Sequence, residues 1–189
     1  MINKKELWII SIIFLSYSLT FLIINFLTKK WEYFYYNLMM LALFFIILFF
    51  YKKLNINFYQ LLGLVIIGLL HLLGGNIVLN GTVLYKLIIF GISYDKFIHF
   101  FSNLILAFVV FGIIVSFIKK TRMYRSKILL SVFFITIGIS SFVEIIEFIA
   151  SVLFDNTIIG SYKNNVGDLV INAVGTLVAL FFINKKIKR

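Results

Sequence analysis

Six stretches of this chain are apolar for long enough to cross a bilayer, and that constrains its fold more than any other feature. They run near residues 8–27, 33–51, 58–73, 95–118, 127–154 and 167–184. A helical span needs about 20 mostly apolar residues, and in lipid the backbone has to satisfy its hydrogen bonds within the segment. The pattern predicts an all-α fold: a polytopic membrane helix bundle of about six transmembrane helices, forming a single integral membrane domain over 1–189. The fifth run is longer than a bilayer needs and should tilt or project. With 62% hydrophobic residues and a mean hydropathy of +1.08, no soluble class fits.

The segment 74–94 does not make a seventh span. Its longest apolar piece, Val83 to Ile92, is broken by Lys86 and Gly91. It is too short to cross about 30 Å of hydrocarbon. A re-entrant or interfacial segment, with a short helix, is expected there. The first apolar run, Trp8 to Leu27, exceeds a signal-peptide core and has no small-residue cleavage site after it. It reads as a retained span.

Net charge is +11, which raises the question of a nucleic-acid partner. The placement of the charge argues for no nucleic acid and for the membrane lipid bilayer instead. Basic residues lie in short clusters between apolar runs, as the positive-inside rule requires. With the N-terminus inside, 13 Lys and Arg fall on inner segments and 5 on outer ones. The expected localisation is a multi-pass protein of the cell membrane with both termini cytoplasmic. The 119–127 loop is then inside, with 74–94 and 155–166 outside. The chain has no cysteine, hence no disulfide, thiolate site or thiol nucleophile, and no proline to kink a helix.

The remaining polar residues gather on one side of that topology. His71 ends span three at the outer face. Asp95 and His99, four apart, open span four. Glu144 and Glu147, three apart, lie in the outer half of span five, followed by Asp155. Asp168 and Asn172, four apart, open span six. Each such pair projects from one helix face. Lysine and arginine alone set the topology, so this clustering is independent of it. Two carboxylates as close as Glu144 and Glu147 repel in an apolar surround, so one must bind a proton, meet a cation or face water. Gly138, Ser140, Ser141, Gly167 and Gly175 are small residues that let helices approach.

Each residue also has a plainer role open to it. Asp95 and Asp168 could cap helices, His71 and Asn172 could bridge them, and the two glutamates could share a proton. The tyrosines and phenylalanines read as lipid-facing or interfacial belt.

Three of these stretches, taken in order, resemble the VanZ-like family of small membrane proteins. They are Asp95-Lys96-x-x-His99-Phe100, Glu144-x-x-Glu147, and Asp168 through Asn172 to Gly175. The run His71-Leu72-Leu73-Gly74-Gly75 leading to Tyr94 through Phe100 resembles the related YjdF-type inner-membrane proteins. The resemblance spans residues 60–184. Glu147 stands where the VanZ pattern usually has Gln, and Gly160 to Gly167 replaces its Pro-Gly-Arg type loop.

Three spans joined by short connections should bring each of His99, Glu144, Glu147 and Asp168 within about 8 Å of at least one other, the reach of a bridging ion or water. Three acids beside one imidazole suit a divalent metal ion as cofactor, with zinc, manganese or iron fitting mixed N and O ligands better than calcium. The catalytic and metal-ligand candidates are therefore His99, Glu144, Glu147 and Asp168. His71, Asp95 and Asn172 are placed around them or against substrate. Lys96, adjacent to Asp95, is expected to point away from it.

The enzymatic reading is a metal-assisted hydrolase or transferase acting on a lipid-linked or phosphate-bearing substrate. The alternatives are an ion- or proton-coupled transporter and a non-catalytic membrane assembly protein. A polar pocket that ends blindly separates the first from the second.

Overall fold

A computed structural model describes residues 2–54, 56–118, 124–153 and 162–187. Asp155 and most of the two loops on either side of the fifth span fall outside them. Among the described residues, six helices are long and apolar enough to span a membrane. They are α1 (Lys4–Leu27), α2 (Trp31–Leu54), α3 (Phe58–Asn76), α4 (Tyr94–Ile118), α5 (Arg125–Leu153) and α6 (Tyr162–Ile187). Their shortest, α3, has 19 residues, about 28 Å at 1.5 Å per residue, which just matches a hydrocarbon core. Large apolar side chains such as Trp8, Phe49, Phe134 and Phe181 lie exposed on their outer faces, as lipid-facing helices require.

The chain divides into two compact units, residues 1–98 and 99–189. In the first, α1, α2 and α3 pack on one another. Asn3 and Asn57 open α1 and α3 with capping boxes closed by Glu6 and Gln60. Each box satisfies otherwise orphaned amides. Phe14 of α1 stacks on Phe44 of α2 at 3.9 Å between centroids. The Tyr17 hydroxyl donates to the Val65 carbonyl of α3 at 2.9 Å. Ser18 donates to Asn37 Oδ1 at 2.6 Å and receives Asn37 Nδ2 on its carbonyl at 2.8 Å. This reciprocal pair fixes the register of α1 against α2.

Between α3 and α4 stand two small hairpins rather than an interfacial helix. Strands β1 (Val78–Leu79) and β2 (Thr82–Val83) form one, and β3 (Ile88–Ile89) and β4 (Ile92–Ser93) the other. A single 3-10 turn, Leu84–Lys86, joins them. Asn80-Gly81 and Phe90-Gly91 form their turns with positive φ at all four residues, the geometry of tight hairpins.

In the second unit α5 and α6 pack along their lengths. Each of its helices carries one narrow buried stripe at steps of three and four residues. On α4 it runs His99, Asn103, Ala107, Val110. On α5 it runs Val132, Thr136, Ser140, Glu144, Glu147, Ala150. On α6 it runs Asp168, Asn172, Thr176, Ala179, Ile183. The stripes of α4 and α6 are polar at one end and apolar at the other, and that of α5 carries its polar residues between Val132 and Ala150. Apolar residues of the three meet in one cluster of Ala107, Val110, Val132, Ala179 and Ile183. Arg125 of α5 donates to Asn184 Oδ1 of α6 at that end. Gly175 lets α6 approach α4 so closely that a Cβ there would strike the Phe100 carbonyl oxygen. Gly138, by contrast, faces open space and mediates no close approach.

Candidate functional site

The polar parts of the three stripes form a buried cluster. His99 lies about 8 Å along α4 from its start, Glu144 and Glu147 sit in the last three turns of α5, and Asp168 lies six residues into α6. Asp168 therefore does not open its helix. The polar run Lys163-Asn164-Asn165 stays helical, and Asn164 Nδ2 donates to Asp168 Oδ2 at 2.7 Å one turn later.

His99 stands between two carboxylates. Its Nδ1 is 3.2 Å from Glu144 Oε1 and its Nε2 is 3.6 Å from Asp168 Oδ1. One ligand atom each from His99, Glu144 and Glu147 lies within 4.8 Å of the other two. A neutral imidazole has one N–H and one lone pair. It can donate to one of these carboxylates but turns a lone pair on the other. The arrangement therefore suits a further proton, on the ring or on a carboxylate, or a cation in the gap. Asp168 is 0% exposed and Asn172 1%, so bulk water does not screen these charges.

A relay of polar side chains fixes Glu144. Ser140 Oγ donates to Asn103 Oδ1. Asn103 Nδ2 donates to Asn172 Oδ1 at 2.5 Å and to the His99 carbonyl at 3.2 Å. Asn172 Nδ2 donates to Glu144 Oε1 at 3.0 Å. The side-chain bonds from Ser140 through Asn103 and Asn172 run toward Glu144, which ends them as an acceptor. Asn165 Nδ2 reaches the Glu144 carbonyl at 3.4 Å. Beyond Ser140, the Ser140 hydroxyl also meets the Thr136 carbonyl at 2.8 Å. One turn further the stripe becomes the apolar cluster.

Four of the residues singled out in the sequence thus come together: His99, Glu144, Glu147 and Asp168, with Asn172 bonded to one of them. Asp95 is buried in the first turn of α4, one turn before His99 on the same helix face. Lys96 does not point away from it, because its Nζ folds back to 3.4 Å from Asp95 Oδ2; the long flexible stem makes adjacency no bar to pairing. His71 belongs to a different set of partners in the first unit. Its Nδ1 is 2.6 Å from the Tyr85 hydroxyl, which also donates to the His71 carbonyl at 2.8 Å. Asn103 escaped the sequence reading, although it lies four residues after His99 and so on the same helix face. Asn164 and Asn165 were hidden by placing the start of span six too late.

One family model matches residues 7–189, under the description "Predicted membrane protein (DUF2238)". The match covers nearly the whole chain, and the chain belongs to that family. No curated protein and no solved structure matches it.

Proposed function

We propose that this member of the DUF2238 membrane protein family holds a divalent metal ion between His99 Nδ1, Glu144 and Glu147, and uses it on a lipid-linked or phosphate-bearing substrate. The observation that carries the reading is the buried convergence of those three ligand groups within 4.8 Å. With an ion on Nδ1, the ring's other nitrogen keeps its proton and donates toward Asp168 Oδ1. That is the carboxylate–histidine–metal arrangement in which an outer carboxylate fixes the ring and raises its basicity. Asp168 then orients His99, and Asn103 with Asn172 orients Glu144. A bound divalent ion can polarise a phosphoryl oxygen and lower the pKa of a bound water toward neutrality. The chain's own part is to hold the ligands still and to exclude bulk water.

The apolar cluster beneath the relay supports a site that ends blindly over a path that continues across the membrane, and so favours the binding or hydrolytic reading over transport. The finer likeness to VanZ-like and YjdF-type proteins rests on Asp95 to Phe100, on Glu144 and Glu147, and on Asp168 to Gly175, and belongs to this proposal. So does the sidedness, with both termini cytoplasmic and the site near the outer leaflet. An impermeant thiol reagent on intact cells should then label Thr82→Cys and leave Ser126→Cys untouched; the opposite pattern turns the site inward.

The substrate is tested in proteoliposomes containing a prenyl diphosphate lipid. Phosphate release should require added manganese or zinc, weaken as pH falls because protons compete for the ligands, and vanish in Glu147→Gln. If neither metal supports release nor changes lipid binding, the substrate assignment is wrong.

A further inference from the structure

The two hairpins between α3 and α4 share a backbone and differ in what they display. Asn80-Gly81 in the first is among the sequences a tight hairpin turn favours. The second puts Phe90 at the equivalent place, with φ of 53° against 50° for Asn80. A bulky residue is disfavoured in that left-handed region, where Asn is tolerated far better. Among the described residues no packing offsets the mismatch, since Phe90 is 98% exposed and Ile88 72%. The hairpins are firmly held all the same. Tyr85, between them, is buried over Gly74, stacks on Tyr33 and bonds to His71. The backbone closes both bases, Leu84 N to Ile77 O at 2.9 Å and Tyr94 N to Leu87 O at 2.8 Å. A fixed platform therefore presents an aromatic ring outward at a conformational cost.

We infer that the second hairpin is a membrane-surface wedge, with Phe90 inserted into the interfacial layer of the leaflet in which α3 ends and α4 begins. The lipid bilayer is the occupant because the hairpin continues a surface already committed to lipid. Phe90 lies four residues before the first residue of α4, whose first turn exposes Phe97. Strands of two residues reach less than about 10 Å at roughly 3.3 Å per residue, so the tip stays at headgroup depth. Unpaired strand edges keep it out of the hydrocarbon core, and aromatic rings favour the interface. Lys86, exposed on the turn between the hairpins, suits anionic headgroups.

The cysteine-free chain makes the test direct. Nitroxide labels on Phe90→Cys and Thr82→Cys, in vesicles of phosphatidylethanolamine and phosphatidylglycerol, report collision with oxygen, which concentrates in lipid, and with an aqueous nickel chelate. The label at 90 should show a several-fold higher oxygen-to-nickel ratio than the label at 82. Equal, water-like ratios at both positions overturn the inference. So does a label at 90 shielded from both reagents, the mark of a second copy or another protein seated on the hairpin.

Discussion

In residues 1–98 the buried acids stand where a helix welcomes them, whereas in residues 99–189 they stand where it does not. Glu32 and Asp95 each occupy the first turn of a helix, where the exposed amides favour negative charge by about 0.3–1 kcal/mol. Asp95 also has Lys96 at hand. The other polar contacts of that unit include the buried pair Ser18 with Asn37 and the half-buried His71 with Tyr85. In the second unit Glu144 and Glu147 lie near the C-terminal end of α5 and Asp168 inside α6, all three gathered around one imidazole. Helix electrostatics favours the first set. For the second we propose a cation, and we propose it as the functional one.

The largest effect should come from breaking the relay that holds Glu144. Asn172→Leu takes one hydrogen bond from Glu144 Oε1, which keeps His99 Nδ1 at 3.2 Å, and one from Asn103 Nδ2, which keeps the His99 carbonyl, at a cost of about 1–3 kcal/mol. Metal affinity should fall about 10–100-fold with it. Thermal unfolding in detergent and metal titration read the two. Next comes Gly175→Ala, whose Cβ meets the backbone of Phe100; unfolding should show about 1–3 kcal/mol of overpacking. His71→Phe sharpens the contrast from the other side. It removes the bond between the ring and Tyr85, while Tyr85 keeps the residue-71 carbonyl as acceptor. Stability should drop by about 1 kcal/mol with metal affinity unchanged, and a loss of metal there would join the two polar sets into one. The smallest effect is expected for Gly138→Ala, which points into open space and should stay within about 0.5 kcal/mol.

The spans were legible because apolar length alone defines them. The pairs His99 with Asp95, Glu144 with Glu147 and Asp168 with Asn172 were legible because helical periodicity puts each on one face. What joins one helix to another was not. The bonds from Asn103 to Asn172 and from Ser140 to Asn103 depend on how each helix is rotated about its axis, which apolar runs with little amphipathic contrast do not specify. The start of α6 was misplaced because hydropathy ends at Gly167 while backbone hydrogen bonding continues back to Tyr162. The hairpins were missed because strands of two residues carry no period, although Asn80-Gly81 was a turn signal in plain view.

The central claim is that a cation, and not protons alone, settles the charge around His99. Metal content measured by mass spectrometry, on wild type and on Glu144→Gln/Glu147→Gln purified side by side, addresses it most directly. We expect about one zinc, manganese or iron per wild-type chain, and a melting temperature that chelator lowers and the added ion restores, with both responses lost in the double variant. Wild-type protein that holds no stoichiometric metal, and whose melting temperature ignores chelator and divalent ions alike, would contradict the claim and leave the cluster as a set of proton-sharing acids.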